Sequence, residues 1–284
     1  MELKHLVVIE SAFNPRARSR VGASGLWQFM LTSGRMYGLR TDSYVDERYD
    51  PVKSTHSAAK LLKALYDMFG DWNLALAAYN YGSGNVRKAI ARSGGERNFW
   101  KVRAYMPRET RNYVTAFIAA NYVMNYYRHH GIVPEVPAVA HMSTDTVAVK
   151  NLVSFDMLAE KLDMPKEELQ FLNPQFKLGA IPFSSAKQYS IILPTEKAVT
   201  FASLEEGLNA EAREKEAALK NSLTYRIGAE EGPNGSIVYR VKSGDTLSRL
   251  AVRYGVSVRN IQRWNNMKST KLKIGQRLTI YPRR

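Results

Sequence analysis

One glutamate near the start of the chain, Glu10, has the sequence setting of a general acid. It directly follows the apolar run Leu6-Val7-Val8-Ile9 and comes shortly before Asn14-Pro15, which stops a helix. An acidic side chain at the end of an apolar helical turn is partly buried, and burial disfavours the carboxylate. Its pKa should therefore rise from about 4.3 toward neutrality, as a proton donor requires. A helix-end glutamate bonded to nearby backbone would show the same pattern, so Glu10 alone does not identify an enzyme.

Three further strings follow Glu10-Ser11-Ala12-Phe13-Asn14-Pro15 in the chain. They are Gly22-Ala23-Ser24-Gly25-Leu26-Trp27-Gln28-Phe29-Met30, Ala77-Ala78-Tyr79-Asn80-Tyr81-Gly82-Ser83-Gly84 and Pro107-Arg108-Glu109-Thr110-Arg111-Asn112-Tyr113-Val114. The first two of these three strings combine glycines with amide and aromatic side chains. Amide groups hydrogen-bond sugar hydroxyls, and aromatic rings stack on pyranose rings. In this order the four strings resemble the lytic transglycosylase family, which has a goose-type-lysozyme-like fold.

The resemblance implies that Glu10 is the catalytic acid and base of a peptidoglycan-cleaving enzyme. It also implies a cleft around the sugar at the scissile bond, to which Asn80 is added for its amide group. The expected cleft residues are Ser19, Gln28, Met30, Tyr79, Asn80 and Glu109. Five of them also have a structural alternative: Met30 and Tyr79 suit a core, Ser19 suits a loop, Gln28 suits the cap of a turn, and Glu109 suits a helix N-terminus.

The implied reaction is non-hydrolytic and needs no metal and no cofactor. Glycosidases ordinarily pair two carboxylates, but no motif supplies a second one beside Glu10, and the candidates Asp42, Asp46, Glu47 and Asp50 fall in a predicted loop. In the family scheme, Glu10 protonates the β-1,4 oxygen between MurNAc and GlcNAc, then takes the proton of the C6 hydroxyl as a 1,6-anhydroMurNAc end closes. A lysozyme-type hydrolase and a non-catalytic peptidoglycan-binding protein stay open as alternatives.

Helical periodicity predicts an α domain that must position these residues. Ser57 to Phe69 ends at Gly70, and Pro107 to His130 ends at Gly131. Shorter helical segments are predicted at Trp72 to Tyr79 and at Val86 to Ala91. Prolines then interrupt the pattern, because proline cannot continue a helix. The predicted divisions are a catalytic domain over 1–131, a linker over 132–143, a first module over 144–195, a helical spacer and linker over 196–236, and a second module over 237–284.

The two modules are copies of one strand-helix-helix-strand unit. Val149-Lys150 matches Val241-Lys242, and Asn173 matches Asn265 at the same offset. The second copy resembles a LysM module, which implies binding of GlcNAc-containing glycans. One wall of its groove is expected from Gly244, Asp245 and Thr246, and the other from Asn266 and Ile274; helix capping alone is the structural alternative. The first copy has Asn151-Leu152-Val153-Ser154 at the motif, so it is predicted to be a degenerate LysM-like module that binds glycan weakly or not at all.

The fold class predicted from these features is a mainly α, lysozyme-like catalytic domain followed by two small βααβ LysM-type modules. The 284 residues include no cysteine and carry a formal net charge of +15. Such a charge suits a polyanionic neighbour, but the basic residues follow no nucleic-acid motif. The expected partner is therefore the peptidoglycan glycan strand, with no specific nucleic acid. The resemblance implies a periplasmic or outer-membrane-associated protein. The first residues do not form an export signal, so any membrane anchor is expected to lie outside this chain. The oligomeric state stays open.

Overall fold

The computed structural model describes residues 3–135, 143–184, 188–227, 229–231, 236–254 and 256–281. The chain divides into two compact units, Met1–Arg40 with Glu47–Ala140, and Thr41–Asp46 with His141–Arg284. Residues 136–142 of the predicted linker, and 232–235 of the predicted loop before the second module, lie outside the described residues. Among the residues that are described, no helix has both the length and the apolar character needed to cross a membrane.

The first unit is helical, as the periodicity predicts. Its helices are α1 Leu6–Ser11, α2 Leu31–Met36, α3 Pro51–Phe69, α4 Trp72–Tyr81, α5 Ser83–Arg92, α6 Phe99–Val102 and α7 Arg108–Asn125. Helix α3 begins six residues before the predicted Ser57, because Asp50 caps it by accepting hydrogen bonds from the backbone N–H groups of Val52 and Lys53, with Pro51 in the first turn. Helix α7 ends before the predicted His130, which belongs to a separate 3-10 turn, Tyr127–His130.

Helix α4 lies at the centre of this unit. It contacts α3, α5 and α7, and α1 also contacts α7. Every residue from Leu74 to Ala78 is buried, and three of the five are alanines, whose small side chains let neighbouring helices approach closely. This packing brings the end of α1, which carries Glu10, against α7.

In the second unit, the first module has the predicted strand-helix-helix-strand order. Strand β1 (Thr144–Val149) pairs antiparallel with β4 (Tyr189–Pro194), and α8 (Phe155–Leu162) and α9 (Lys166–Leu172) lie between them in the chain. A short strand β2 (Val153–Ser154) pairs with β3 (Ala180–Ile181).

The second module repeats this plan. Strand β6 (Ile237–Arg240) pairs antiparallel with β7 (Arg277–Ile280), and α11 (Leu247–Tyr254) and α12 (Val258–Trp264) lie between them. A further strand, β5 (Ala229–Glu231), pairs with β6. The fold of both copies therefore agrees with the repeat seen in the sequence.

Asn173 and Asn265, which match in the repeat, make the same hydrogen bonds in the two modules. Asn173 donates to the Ile192 carbonyl at 2.8 Å and accepts from the Ile192 N–H at 2.8 Å. Asn265 makes the same pair of bonds with Thr279, at 2.7 and 2.6 Å. Each amide side chain thus ties the end of the second helix to the closing strand by bonding both backbone groups of one strand residue.

The predicted helical spacer is a helix in the structure, but it is partly buried against the first module. Residues Thr195–Ile227 form one long helix, α10, whose first half packs on the core of the first module. The buried side chains on this half are Ala198, Phe201, Leu208 and Ala212. Two of these four contacts are alanines, so the apolar stripe is narrow, and this is why the sequence pattern understates the packing.

Candidate active site

Glu10 lies in the last turns of α1 and receives a hydrogen bond from α7. The Tyr113 hydroxyl donates this bond to Glu10 Oε1. Burial raises the pKa of Glu10 from its ordinary 4.5 to about 7, and the hydrogen bond from Tyr113 acts in the opposite direction by stabilising the carboxylate. The carboxyl group can therefore hold a proton near neutral pH and also be stabilised once that proton has left.

Tyr79 is the second phenol beside the carboxyl group. Burial, and after it the charge of Glu10, raise the pKa of Tyr79 well above its usual range. The hydroxyl donates to the Trp27 carbonyl at 2.7 Å, and the ring packs against the helical core. Tyr79 is therefore a core residue, and its role toward a sugar stays a prediction.

The loop from Gly22 to Met30 is closed by its own polar groups. Gln28 adopts a positive φ of 47°, and its amide Nε2 donates to the Gly25 carbonyl at 2.8 Å and to the Ala17 carbonyl at 3.3 Å. This is the turn-stabilising role named as the structural alternative for Gln28. Met30, by contrast, is 45% exposed. Its structural alternative, a place in the core, is therefore wrong.

The remaining predicted cleft residues have local partners or lie at the surface. Ser19 Oγ accepts from the Ala23 N–H at 3.0 Å. Asn80 Oδ1 accepts from the hydroxyl of buried Thr110 at 3.0 Å, which ties α4 to the start of α7. Glu109 is exposed in the first turn of α7, where a negative charge is favoured by the helix dipole. Their roles toward a sugar stay predictions.

Two residues that bear on the site are missing from the sequence-based selection. Tyr113 stood in the fourth string, and only the fold brings it to Glu10. Arg48 is buried, and its Nη1 donates to the Gly22 carbonyl at 2.9 Å and to the Phe29 carbonyl at 3.1 Å, so it holds both ends of the loop. A Cβ added to Gly25 would lie 1.8 Å from the Arg48 carbonyl oxygen. The only sign of Arg48 in the sequence is its position as a basic residue within the acidic run Asp46-Glu47-Arg48-Tyr49-Asp50.

The acidic residues near Arg48 have structural partners. Glu47 accepts from the Arg40 N–H at 2.8 Å and pairs with Lys53 at 2.8 Å, while Asp50 caps α3. These carboxylates are engaged in holding backbone and lysine groups, whereas Glu10 is the carboxyl group that Tyr113 contacts.

The predicted groove residues of the second module divide into two kinds. Asp245 Oδ2 accepts from the Tyr239 hydroxyl at 2.6 Å and from the Lys242 N–H at 2.8 Å, and Thr246 Oγ1 caps α11 by accepting from the Arg249 N–H at 3.2 Å. These two residues therefore shape the loop.

The other three are exposed. Gly244 and Asn266 have positive φ angles of 82° and 50°, and Ile274 is 75% exposed. Thr246 is exposed as well, so four of the five predicted groove residues present surface to solvent.

Comparison with known families defines the class of this protein. Residues 1–101 match the Transglycosylase SLT domain, residues 143–210 match the LysM-like domain of lytic transglycosylase MltD, and residues 239–280 match the LysM domain. Over these ranges the chain carries a transglycosylase SLT domain and two LysM-type domains. The predicted fold class, a mainly α lysozyme-like domain with two LysM-type modules, is confirmed.

One known relative matches nearly the whole chain. The chain is 36% identical over 288 aligned residues to membrane-bound lytic murein transglycosylase D of Escherichia coli (strain K12), an alignment that covers 99% of this chain and 60% of that protein. The chain thus spans about three fifths of the length of this relative. It is also 33% identical over 126 residues to the soluble lytic murein transglycosylase of the same organism, covering 42% of this chain and 19% of the relative. The solved 70 kDa soluble lytic transglycosylase of E. coli matches 44% of this chain and 21% of its own length, with 31% identity and a TM-score of 0.37.

Proposed function

We propose that this chain cleaves the β-1,4 bond between MurNAc and GlcNAc of peptidoglycan without water, leaving 1,6-anhydroMurNAc ends. The observation that carries the proposal is the state of Glu10. Burial gives this carboxyl group a pKa of about 7, and it lies within residues that match a transglycosylase SLT domain. A group with this pKa is near the optimum for giving and taking a proton at neutral pH.

In the first step, protonated Glu10 gives its proton to the glycosidic oxygen as the bond to C1 of MurNAc breaks. The acetamido oxygen of the same sugar supports the positive charge that develops at C1. Glu10 is left as a buried carboxylate, which the hydrogen bond from Tyr113 stabilises. The pKa of the Tyr113 hydroxyl is raised well above its usual range, chiefly by burial and next by the charge of Glu10, so Tyr113 keeps its own proton and acts only as a hydrogen-bond donor.

In the second step, the Glu10 carboxylate removes the proton of the MurNAc C6 hydroxyl, whose oxygen then attacks C1 and closes the anhydro ring. Glu10 is protonated again by the C6 hydroxyl proton, so the reaction needs no second carboxylate. The structural engagement of Glu47 and Asp50 supports a mechanism with one carboxyl group. A hydrolase of lysozyme type would instead place water at C1. Mass spectrometry of muropeptides released from purified sacculi separates the two: anhydro ends support the proposal, and reducing MurNAc ends would replace it with hydrolysis.

Replacing Tyr113 by phenylalanine should raise the pKa of Glu10 further above about 7, because the lost hydrogen bond favours the carboxylate. The descending basic limb of kcat/KM against pH should therefore move to higher pH, and the maximal rate should fall by roughly tenfold or more, since positioned proton transfer is impaired. The measurement is the pH profile on a soluble glycan oligomer. Tyr122→Phe, at an exposed position of α7, is the matched control; an unmoved or acid-shifted limb in Tyr113→Phe would contradict the assignment.

We also propose that the second module, and not the first, holds the glycan strand for the catalytic domain. Support comes from the exposed Gly244, Asn266 and Ile274 at its two loops. The amide of Asn266 can bond an N-acetyl group, and Ile274 offers an apolar face to a pyranose ring. With peptidoglycan as the ligand, the expected location is the periplasmic side of the cell envelope.

Ile274→Asp in the full chain should weaken binding to a GlcNAc oligomer by about tenfold, because it replaces an apolar contact by a charge that must be desolvated. Val199→Asp makes the same change at another exposed position, on α10, and should leave the affinity as it was. Isothermal titration of both variants checks this. Equal affinity in Ile274→Asp and the wild type would remove Ile274 from the groove.

A further inference from the structure

Residues Thr41–Asp46 form a tight hairpin that belongs to the second unit. Asp42 Oδ1 accepts from the N–H groups of Tyr44 and Val45, both at 2.8 Å, and the Asp42 N–H donates to the Val45 carbonyl at 2.8 Å. Thr41 and Asp46 pair across the open end. The turn is thus held by its own side chains and presents Tyr44 and Val45 together.

The hairpin is paired with the first module by backbone hydrogen bonds. Val45 forms an antiparallel bridge with Phe176, in which the Asp46 N–H donates to the Gln175 carbonyl and the Lys177 N–H donates to the Tyr44 carbonyl, both at 2.9 Å. These bonds satisfy backbone groups on both segments, in the manner of a peptide added to a strand edge.

The side chains of the hairpin enter the apolar core of the module. Val45 is 2% exposed and belongs to the same buried cluster as Val153 and Phe176. Tyr44 packs against Leu152 and Ala180. Leu152 lies in the loop that follows β1, and Ala180 begins β3 at the end of the loop that follows α9, so Tyr44 contacts both of these segments.

The same loops are open in the second module. Leu152 occupies the position of Gly244 in the repeat, and Leu152 is buried while Gly244 is exposed. In the first module the two loops are also joined directly, because β2 pairs with β3 and the Phe155 N–H donates to the Gly179 carbonyl at 2.8 Å. The surface that faces solvent in one copy is therefore covered by the chain itself in the other.

We propose that the first LysM-like module is a docking module whose occupant is the chain's own hairpin Thr41–Asp46, and that it does not bind glycan. The hairpin takes the place that a ligand would have between the two loops. The comparison of grooves rests on the proposed glycan-binding function of the second module, whereas the occupation of the first rests on the hydrogen bonds and burial described above.

Amide hydrogen exchange on the full chain tests the occupation directly. The Asp46 and Lys177 amides should exchange at least about 100-fold more slowly than amides of an exposed loop, and Val45→Asp should abolish this protection, because a carboxylate cannot remain in the apolar core. Val52→Asp makes the same change at an exposed position of α3 and should leave both amides protected. Fast exchange of these amides in the wild type would overturn the proposal.

A disulfide provides a second test that does not depend on the folding of Val45→Asp. The chain has no cysteine, and Val45 and Phe176 face each other as a pair flanked by hydrogen bonds, the closer kind of antiparallel pair. Val45→Cys with Phe176→Cys should therefore crosslink nearly completely in mild oxidant, as mass spectrometry would show. Failure to crosslink in the folded protein would contradict a docked hairpin.

Titrating the full wild-type chain with a GlcNAc oligomer tests the absence of glycan binding. Within the second unit, amide shifts should be confined to 237–280, and the amides of Leu152 and Phe176 should not shift. Shifts at these two residues would overturn the docking proposal. Absence of shifts in the second module would instead remove its proposed glycan-binding function, while the exchange and crosslinking results on the hairpin would stand.

Discussion

Replacing Glu10 by glutamine is expected to abolish turnover, with a loss of roughly 1000-fold or more, while the fold and peptidoglycan binding persist. The amide is nearly isosteric and can still accept a hydrogen bond from Tyr113, but it can neither supply a proton to the glycosidic oxygen nor take one from the C6 hydroxyl. The measurement is the rate of release of anhydro-muropeptides from purified sacculi, followed by mass spectrometry.

The matched control is Glu96→Gln, which changes a surface carboxyl group that pairs with Lys101 and should leave the rate near that of the wild type. Binding of both variants to sacculi separates loss of chemistry from loss of affinity. Release of anhydro-muropeptides by Glu10→Gln at a near-wild-type rate would show that another group moves the proton.

Glu10→Gln is also expected to make the catalytic unit more stable, by an amount that depends on pH. The pKa of Glu10 is 4.5 in its ordinary state and about 7 in the fold. Because the folded value is raised, the stability associated with the protonated group is fully present below pH 4.5 and is lost as the pH rises through 7. Each pKa unit corresponds to about 1.4 kcal/mol, so the variant should gain up to roughly 3 kcal/mol over the wild type at pH 8 and almost nothing at pH 4.

Denaturant unfolding of the wild type and the variant at several pH values between 4 and 8 checks this expectation. The difference in free energy of unfolding should grow mainly between pH 4.5 and 7. Glu96→Gln should show no such growth, because the Glu96 side chain is exposed, so folding does not bury its carboxyl group. A difference that is constant with pH would mean that the Glu10 carboxyl group is not desolvated in the folded protein, and the acid role would lose its physical basis.

These two predictions share one cause. The burial that holds a proton on Glu10 near neutral pH also costs folding free energy when the proton leaves. A catalytic unit that retained the activity without this cost would need another source for the raised pKa, such as a neighbouring negative charge. In this site, burial is the larger influence, and the hydrogen bond from Tyr113 moderates it.

Local patterns in the sequence were sufficient for several features. The apolar run before Glu10 predicted its raised pKa, since desolvation follows from the neighbours on one helical turn. Gly70 marked the end of α3, which it caps in a left-handed conformation. The offset between Asn173 and Asn265 revealed the duplicated module, because a repeated fold needs the same amide at the same place.

Only the tertiary structure decided which distant groups meet. Tyr113 lies 103 residues from Glu10 in the chain, and the packing of α7 against α1 brings them together. The role of Arg48 could not be predicted from the sequence either. Its hydrogen-bond acceptors are backbone carbonyl groups, which every residue carries, so no residue type in the sequence indicates them. The hairpin Thr41–Asp46 looked like an acidic loop, yet Val45 completes the core of a module that begins about 100 residues later in the chain. Periodicity reports on contacts within one element, whereas these contacts depend on how separate elements pack.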